Sequence, residues 1–282
     1  MTHFPRITVV TPSYNHGEFI QQTIDSVLNQ DYPDLEYIVM DGGSTDGTVD
    51  ILREYDGRLY WVSERDRGQS HAINKGLRMA TGEVVAFLNS DDLYEPGALM
   101  KVGGFFARHP EAAWVTGRCR IIDQNDREIR KAITLYKNMW LRLKSYAVLQ
   151  VVDYISQPAT FWRRQVVEKI GLFDEALRYA MDYDYSLRVG RQFRLWVLND
   201  YLASFRMHPA SKAGSSANAQ FDADLAIARR YTSSRLLLFL HALHNAVTIA
   251  AYTLLAARSK GHASFEPGQV SGFSSDPAGQ AR

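Results

Sequence analysis

The stretch Glu83-Val84-Val85-Ala86-Phe87-Leu88-Asn89-Ser90-Asp91-Asp92 passes without a break from an apolar run into four polar residues. An apolar run without polar alternation reads as a strand buried on both faces, the kind found inside parallel sheets covered by helices. The same unit recurs upstream. Residues 7–10 are β-branched, end in Thr11-Pro12-Ser13, and precede a helix over 17–28 with Phe19, Ile20, Ile24, Val27 and Leu28 on one side. Residues 35–40 read as a strand that leads through the Gly/Asp/Ser loop 41–47 into a helix over 48–55. Residues 59–62 form a short third strand, and 70–79 a helix closed by Thr81-Gly82. The alternation predicts an α/β fold with a mostly parallel central sheet and helices on both faces. Such sheets bind ligands beyond the carboxyl ends of their strands, so the loops opening at Thr11, Asp41 and Asn89 are expected to converge.

Downstream the pattern loosens. Residues 113–122 read as a strand pair, 136–149 as an amphipathic helix, and 157–170 as a strand leading into a helix. Residues 206–219 are rich in Ser, Ala and Gly and read as a mobile loop. One or two long helices follow over 221–258, and the Gly/Ser/Pro-rich stretch 259–282 reads as a disordered tail. The expected organisation is a main domain over 1–220, divided near residue 100, with a helical extension behind it.

With 282 residues the chain can bury a core without covalent staples. Its single cysteine, Cys119, excludes an internal disulfide and any thiolate metal cluster, which makes a cytoplasmic location the default. Lys plus Arg number 32 against 31 for Asp plus Glu, so there is no basic field to gather nucleic acid. The opening MTHFPRITVVTPS lacks the apolar length and cleavage site of a signal peptide, and the fold is expected to begin at once. The apolar stretch 236–257 is bordered or interrupted by Arg235, His241, His244, Asn245 and Arg258, which argues against a membrane span. A packed helix pair, a dimer contact or a peripheral membrane contact through 221–258 are the readings it leaves.

Several groups carry chemistry. Asp91 and Asp92 at a strand end are firmly held oxygen ligands suited to Mg2+ or Mn2+, and an ion there would bridge a diphosphate. The run 89–92 reads equally well as a turn capping a helix near Glu95-Pro96. The loop Asp41-Gly42-Gly43-Ser44-Thr45-Asp46-Gly47-Thr48 permits close approach to a flat or anionic ligand, or is simply a strand-to-helix connection. Thr11 and Ser13 could touch a base or ribose, or turn the chain. Arg67 in Glu64-Arg65-Asp66-Arg67-Gly68-Gln69, with Asn74 and Lys75 beyond, could neutralise phosphate or lie in a solvated charged loop. No Gly-x-x-x-x-Gly-Lys-Ser/Thr run is present.

Taken in order, the strand before TPSYN, the DGGSTDGT loop, RDRGQSHAINKG and LNSDD resemble the family 2 glycosyltransferases, closely over 7–99 and more loosely over 157–208. The resemblance implies a Rossmann-like GT-A fold, with a donor half over about 1–100 and an acceptor half over about 101–220. It implies a metal-dependent, inverting hexosyltransferase that takes a nucleotide-diphosphate sugar, with uracil the expected base, and glycosylates a glycan or lipid-linked hydroxyl. Surface polysaccharide or glycolipid synthesis at the inner face of a membrane is the implied setting. By position, Thr11, Ser13, Asp41, Ser44, Arg67, Asn74, Lys75, Asn89 and Ser90 would line the donor site. Asp91 would ligate the metal, with His208 as a further ligand. Asp182 would be the general base, and Asp92, Asp184 and Lys212 would support the site. Two departures stand out: Asn89 replaces the family's first acid, and Met181 replaces the Glu before the base. A nucleotidyltransferase and a non-catalytic nucleotide-sugar binding module are the rival readings.

Overall fold

In the computed structural model, residues 3–209, 211 and 217–262 are described. The first half builds a parallel sheet. Strands β1 (Ile7–Ser13), β2 (Leu35–Asp41), β3 (Tyr60–Ser63) and β4 (Val84–Phe87) lie in the order β3-β2-β1-β4, all parallel. Their connections are α1 (Ile20–Leu28), α2 (Thr48–Glu54) and α3 (Gln69–Met79). Side chains alternate across a strand, and this alternation divides the interior in two. Ile7, Val9, Val84 and Ala86 face α1 together with Tyr37, Val39 and Leu52, whereas Val10, Val85 and Phe87 face α3. Helix α3 comes so close to β1 that a Cβ on Gly76 would lie 2.4 Å from Val10 Cγ1, which is why no larger residue fits there.

The second half extends the sheet with mixed pairing. After the two-residue β5 (Leu93–Tyr94) come α4 (Ala98–Arg108), β6 (Trp114–Ile122), α5 (Lys131–Leu141) and α6 (Tyr146–Leu149). A 3-10 turn, Gln157–Ala159, leads into β7 (Thr160–Arg163), α7 (Arg164–Ile170), α8 (Met181–Gly190) and β8 (Leu195–Arg206). The complete order is β3-β2-β1-β4-β7-β6-β8-β5, with β7 antiparallel to both neighbours and β8 parallel to β6. Helices cover both faces, with α1, α2 and α4 on one and α3, α7 and α8 on the other. Two further helices follow, α9 (Ala217–Tyr231) and α10 (Arg235–His262). One compact unit runs to Ala242 and a second begins at Leu243. Among the described residues, no helix is long and apolar enough to cross a membrane.

Four expectations need correction. The strand pair expected over 113–122 is one strand. The helix expected over 136–149 is two, parted where Lys144 takes a left-handed φ of 49°. The loop expected from Arg206 is shorter, because Arg206 closes β8 and Ala217 opens α9. Strand β8 itself was not anticipated, because Asn199-Asp200 interrupts its apolar pattern and its register with β6 shifts twice between Thr116 and Cys119. The tail expected from residue 259 begins within α10, and residues 263–282 lie outside the described residues.

Candidate donor and metal site

The loops after β1, β2 and β4 meet at the carboxyl edge of the sheet, where β1 separates neighbours entered from opposite sides. Their polar residues hold one another. The Asn15 N–H donates to Ser44 Oγ (2.7 Å), and Asn15 Oδ1 accepts from the Thr45 N–H (2.9 Å). Asp46 accepts from the Gly17 and Thr48 N–H groups, and Thr48 Oγ1 accepts from the His16 N–H (3.2 Å). The β1 loop is thus pinned to the β2 loop at several points, which fixes His16.

Residues 89–92 are fixed from the other side. Strand β5 pairs antiparallel with β8, with Leu93 opposite Ser204 and Tyr94 opposite Ala203, and this brings Asp92 to the end of β8. There the Arg206 N–H donates to Asp92 Oδ1 (2.9 Å) and Asn89 Nδ2 donates to Asp92 Oδ2 (3.1 Å). Asp92 is fully buried, and burial, followed by the neighbouring Asp91 charge, pushes its carboxyl well above the usual carboxylate range. The Arg206 side chain is equally buried. It donates from Nε to the Asp91 carbonyl (2.8 Å), from Nη2 to Gln22 Oε1 (2.8 Å), and from Nη1 to the Asp123 carbonyl (3.3 Å) and Asp126 Oδ1 (2.5 Å). Its guanidinium also lies over the Phe19 ring, 5.1 Å from the centroid. The Asp92 carboxylate and the Asp91 carbonyl are thus tied down, which leaves the Asp91 carboxylate to face the side chains of other loops.

That carboxylate meets two imidazoles. His208 Nε2 lies 3.1 Å from Asp91 Oδ2, its ring tilted on Phe19 at 4.6 Å between centroids. His16, whose Nδ1 is 2.6 Å from Ser90 Oγ, completes the group, and one ligand atom from each of His16, Asp91 and His208 fall within 4.8 Å of one another. Two imidazoles and a carboxylate on rigid supports fit a divalent cation, and nitrogen in the set suits Mn2+ better than Mg2+, which prefers oxygen alone. The helix-cap alternative for 89–92 does not hold, since α4 starts at Ala98 after Gly97. Two residues of this centre were not anticipated: His16, whose only signal is its place directly after Asn15, and Arg206, a cation in an otherwise apolar strand end.

The remaining expected residues divide sharply. Ser13 is buried, and its Oγ has no hydrogen-bonding partner among the described residues. Asp41 is buried under its own loop, its carboxylate accepting from the Gly43 and Ser44 N–H groups and from the hydroxyls of Ser44 and Ser63. Tyr14 is exposed beside Gly42, and a Cβ on Gly42 would lie 2.8 Å from Asp66 Oδ2 and 3.3 Å from the Tyr14 ring. Thr11 points the other way. Strand alternation turns its hydroxyl into the core, 3.0 Å from Tyr37 OH, so only its backbone can meet a ligand. Asn74 does not line the site either: its amide exchanges hydrogen bonds with the backbone of Phe173 and donates to Glu175 Oε1, clamping α3 to the loop before α8. Lys75 pairs with Glu64 and Arg67 with Glu175, so both cations have carboxylate partners. Asn89 turns its amide oxygen to Gln69 Nε2 (2.6 Å) and its NH2 to Asp92, away from a ligating role. Lys212 lies outside the described residues.

On the acceptor side, Asp182 stands in the first turn of α8 and has no hydrogen-bonding partner among the described residues. It lines a small recess with Asp153, Gln157, Thr160, Trp162 and Ser186. Asp153 and Asp224 are pushed up to about 7 and about 8, mainly by burial, with the Asp182 charge raising both and Lys137 opposing. Asp184, by contrast, is saturated by Arg188 Nε (2.9 Å) and Tyr231 OH (2.6 Å) and joins α8 to α9. Met181 is buried and accepts from Ser70 Oγ at its sulfur, which gives the residue a packing role.

Comparison with known proteins agrees with this geometry. The chain is 30% identical over 223 residues to an uncharacterized glycosyltransferase of Nostoc sp., covering 76% of this chain and 68% of that one. The structure of the mannosyltransferase PcManGT from Pyrobaculum calidifontis, in complex with GDP-Man and Mn2+, matches with a TM-score of 0.69 and 24% identity, over 94% of this chain and 77% of that one. S. aureus TarS 1-349 in complex with UDP-GlcNAc matches with a TM-score of 0.62 and 21% identity, over 79% of this chain and 65% of that one. The chain thus spans about two thirds of the Nostoc protein and of TarS 1-349, and 39% of the longer TarS chain. The signature of Glycosyl transferase family 2 matches residues 8–171, and with the sheet order this assigns the protein: it is a glycosyltransferase of family 2.

Proposed function

We propose that the protein is a divalent-metal-dependent, inverting hexosyltransferase that moves a sugar from a uridine diphosphate donor to a hydroxyl of a glycan or lipid-linked acceptor at the cytoplasmic face of a membrane. The observation that carries the metal-dependent reading is the convergence of His16, Asp91 and His208 from three loops onto one point of the sheet's carboxyl edge. A divalent ion held there supplies the positive charge that binds a diphosphate and stabilises it as a leaving group. The donor nucleotide lies over the β1 and β2 loops. The unpartnered Ser13 hydroxyl, the exposed Tyr14 ring and the Asp66 carboxylate beside Gly42 support that reading, with the Asp41 and Ser44 loop as the floor.

Asp182 takes the acceptor proton. As the acceptor oxygen bonds to the anomeric carbon, its O–H bond breaks toward the Asp182 carboxylate. The bond from that carbon to the diphosphate oxygen breaks with its electron pair on the opposite face, which inverts the centre. Support comes from the contrast between its two acids: Asp184 is fully engaged in packing, while Asp182 has a free carboxylate on the wall of a recess. The rival of a non-catalytic module rested on Asn89 and Met181, and both have structural partners that leave the proposed ligands and base untouched.

Titration calorimetry with UDP and GDP, with and without Mn2+, tests the donor reading, and sugar transfer by Asp182→Asn tests the base. The expected result is UDP binding that requires Mn2+, unchanged in Asp182→Asn, with transfer lost. Metal-indifferent binding, preference for GDP, or full transfer by the variant would each remove the corresponding part of the proposal.

A further inference from the structure

A helix lying on a domain normally turns its apolar stripe inward and its polar face to water. Helix α5 is apolar on both sides. Its outward face carries Leu135, Tyr136, Met139 and, two residues past the helix end, Leu143, with Leu135 67% and Leu143 56% exposed. Its inward side buries Leu141 in the core with Trp140 packed beside it, and carries the buried Thr134, Lys137, whose Nζ donates to the Ile155 carbonyl (3.3 Å), and Asn138, whose Nδ2 reaches Tyr201 OH (3.5 Å). A contiguous exposed apolar surface of this kind marks a contact the molecule makes with something else.

The charges around it identify the partner. Between Glu128 and Asp153 the sequence contains no acid and five basic residues, Arg130, Lys131, Lys137, Arg142 and Lys144. Arg142 and Lys144 flank Leu143, are exposed, and have no acidic partner among the described residues, while Lys131 at the other end is exposed and lies 3.7 Å from Glu128. We infer that α5 and the turn after it lie in the interface of an anionic bilayer, with Leu135, Met139 and Leu143 among the acyl chains and the cations at the headgroups. A second copy of the chain fits less well. Both ends of the helix are basic, so either orientation of a symmetric pair brings cation against cation.

The position bears on the acceptor. Lys137 ties α5 to Ile155, and Ile155 lines the same recess as Asp182. A bilayer against the outer face of α5 is therefore about one helix diameter from that recess, which suits an acceptor anchored in lipid. This last step rests on the Asp182 reading; the bilayer contact does not.

The test is flotation of the whole chain with vesicles of phosphatidylcholine alone and of phosphatidylcholine with phosphatidylglycerol. The expected result is salt-sensitive binding to the anionic vesicles only. Leu135→Ser/Met139→Ser/Leu143→Ser should weaken it at least about tenfold, with circular dichroism, melting and Mn2+-dependent UDP binding unchanged. The companion Leu236→Ser/Phe239→Ser, on exposed positions of α10, should leave most of the binding intact. Wild-type chain that ignores anionic vesicles, a triple variant that binds as well as wild type, or loss of binding only in the α10 variant overturns the inference. So does a dimer by sedimentation velocity that the triple variant abolishes. Because UDP binding is measured separately, failure of the donor reading remains distinguishable from failure of this one.

Discussion

Replacing Arg206 with Lys keeps the charge and removes the fork. The arginine reaches four acceptors from one buried position, two of them backbone carbonyls and one the Gln22 amide oxygen, at 2.5 to 3.3 Å. A lysine ammonium is a single point that cannot occupy the Nε position facing the Asp91 carbonyl while also reaching Gln22. At least two acceptors buried around it lose their donor, and each such loss costs roughly 1.5 kcal/mol or more. The variant should therefore be destabilised by about 3 kcal/mol, or roughly 6–12 °C in melting temperature for a chain of this size. The same arginine holds the backbone of Asp91, so Mn2+ affinity of the still-folded variant should fall about 10- to 100-fold, as when a supporting shell is removed. Differential scanning fluorimetry and manganese titration at a temperature where the variant is fully folded measure the two effects. A melting shift under about 2 °C refutes the count of hydrogen bonds. A large shift with unchanged Mn2+ affinity refutes the claim that Arg206 positions the metal ligand.

Other consequences follow from the same geometry. His16→Ala should weaken Mn2+-dependent UDP binding by at least about tenfold with little change in melting; equal affinity in calorimetry would exclude His16 from the ligand set. Asn89→Asp, which restores the family's acid, should not tighten metal binding. It replaces the Asn89 Nδ2 donor with a second carboxylate against buried Asp92, so urea unfolding should show a loss of roughly 1–3 kcal/mol, and a stabilised variant would contradict the orientation described. Asp153 and Asp224 have carboxyls pushed up to about 7 and about 8 in the folded chain. The folded state then holds more protons than the unfolded one between about pH 4 and pH 8. Their contribution to stability is full below that window and lost as pH rises through it. Urea midpoints should fall from pH 5.5 to pH 8.5, and Asp224→Asn should flatten the slope; a wild-type midpoint that does not move would count against burial as the cause.

The sequence made the donor half legible because its strands are buried on both faces and its loops carry turn residues. Strands β1 to β4 were anticipated, and so was the convergence of their loops. The second half obscured itself for physical reasons. Strand β8 mixes apolar runs with Asn199-Asp200, and β5 is two residues held only by pairing with β8. Without these two strands, nothing in the pattern links Asp92 to Arg206. The motif residues were partly misleading. Thr11, Asn74 and Asn89 use their side chains to brace the fold, and a spacing alone cannot tell a brace from a ligand. Asp182 and Asp184 look alike in the sequence, and only the saturation of one by Arg188 and Tyr231 separates them.

The contact between Asp91 and His208 closes a loop of 117 residues. As the chain leaves the ribosome, the loops after β1, β2 and β4 are complete long before the second imidazole emerges. A prematurely terminated product that lacks β8 therefore has neither His208 nor the arginine that orients Asp91. Such a fragment cannot assemble the proposed metal centre. The order of synthesis thus acts as a safeguard: competence to handle an activated sugar arrives only with the last strand of the sheet.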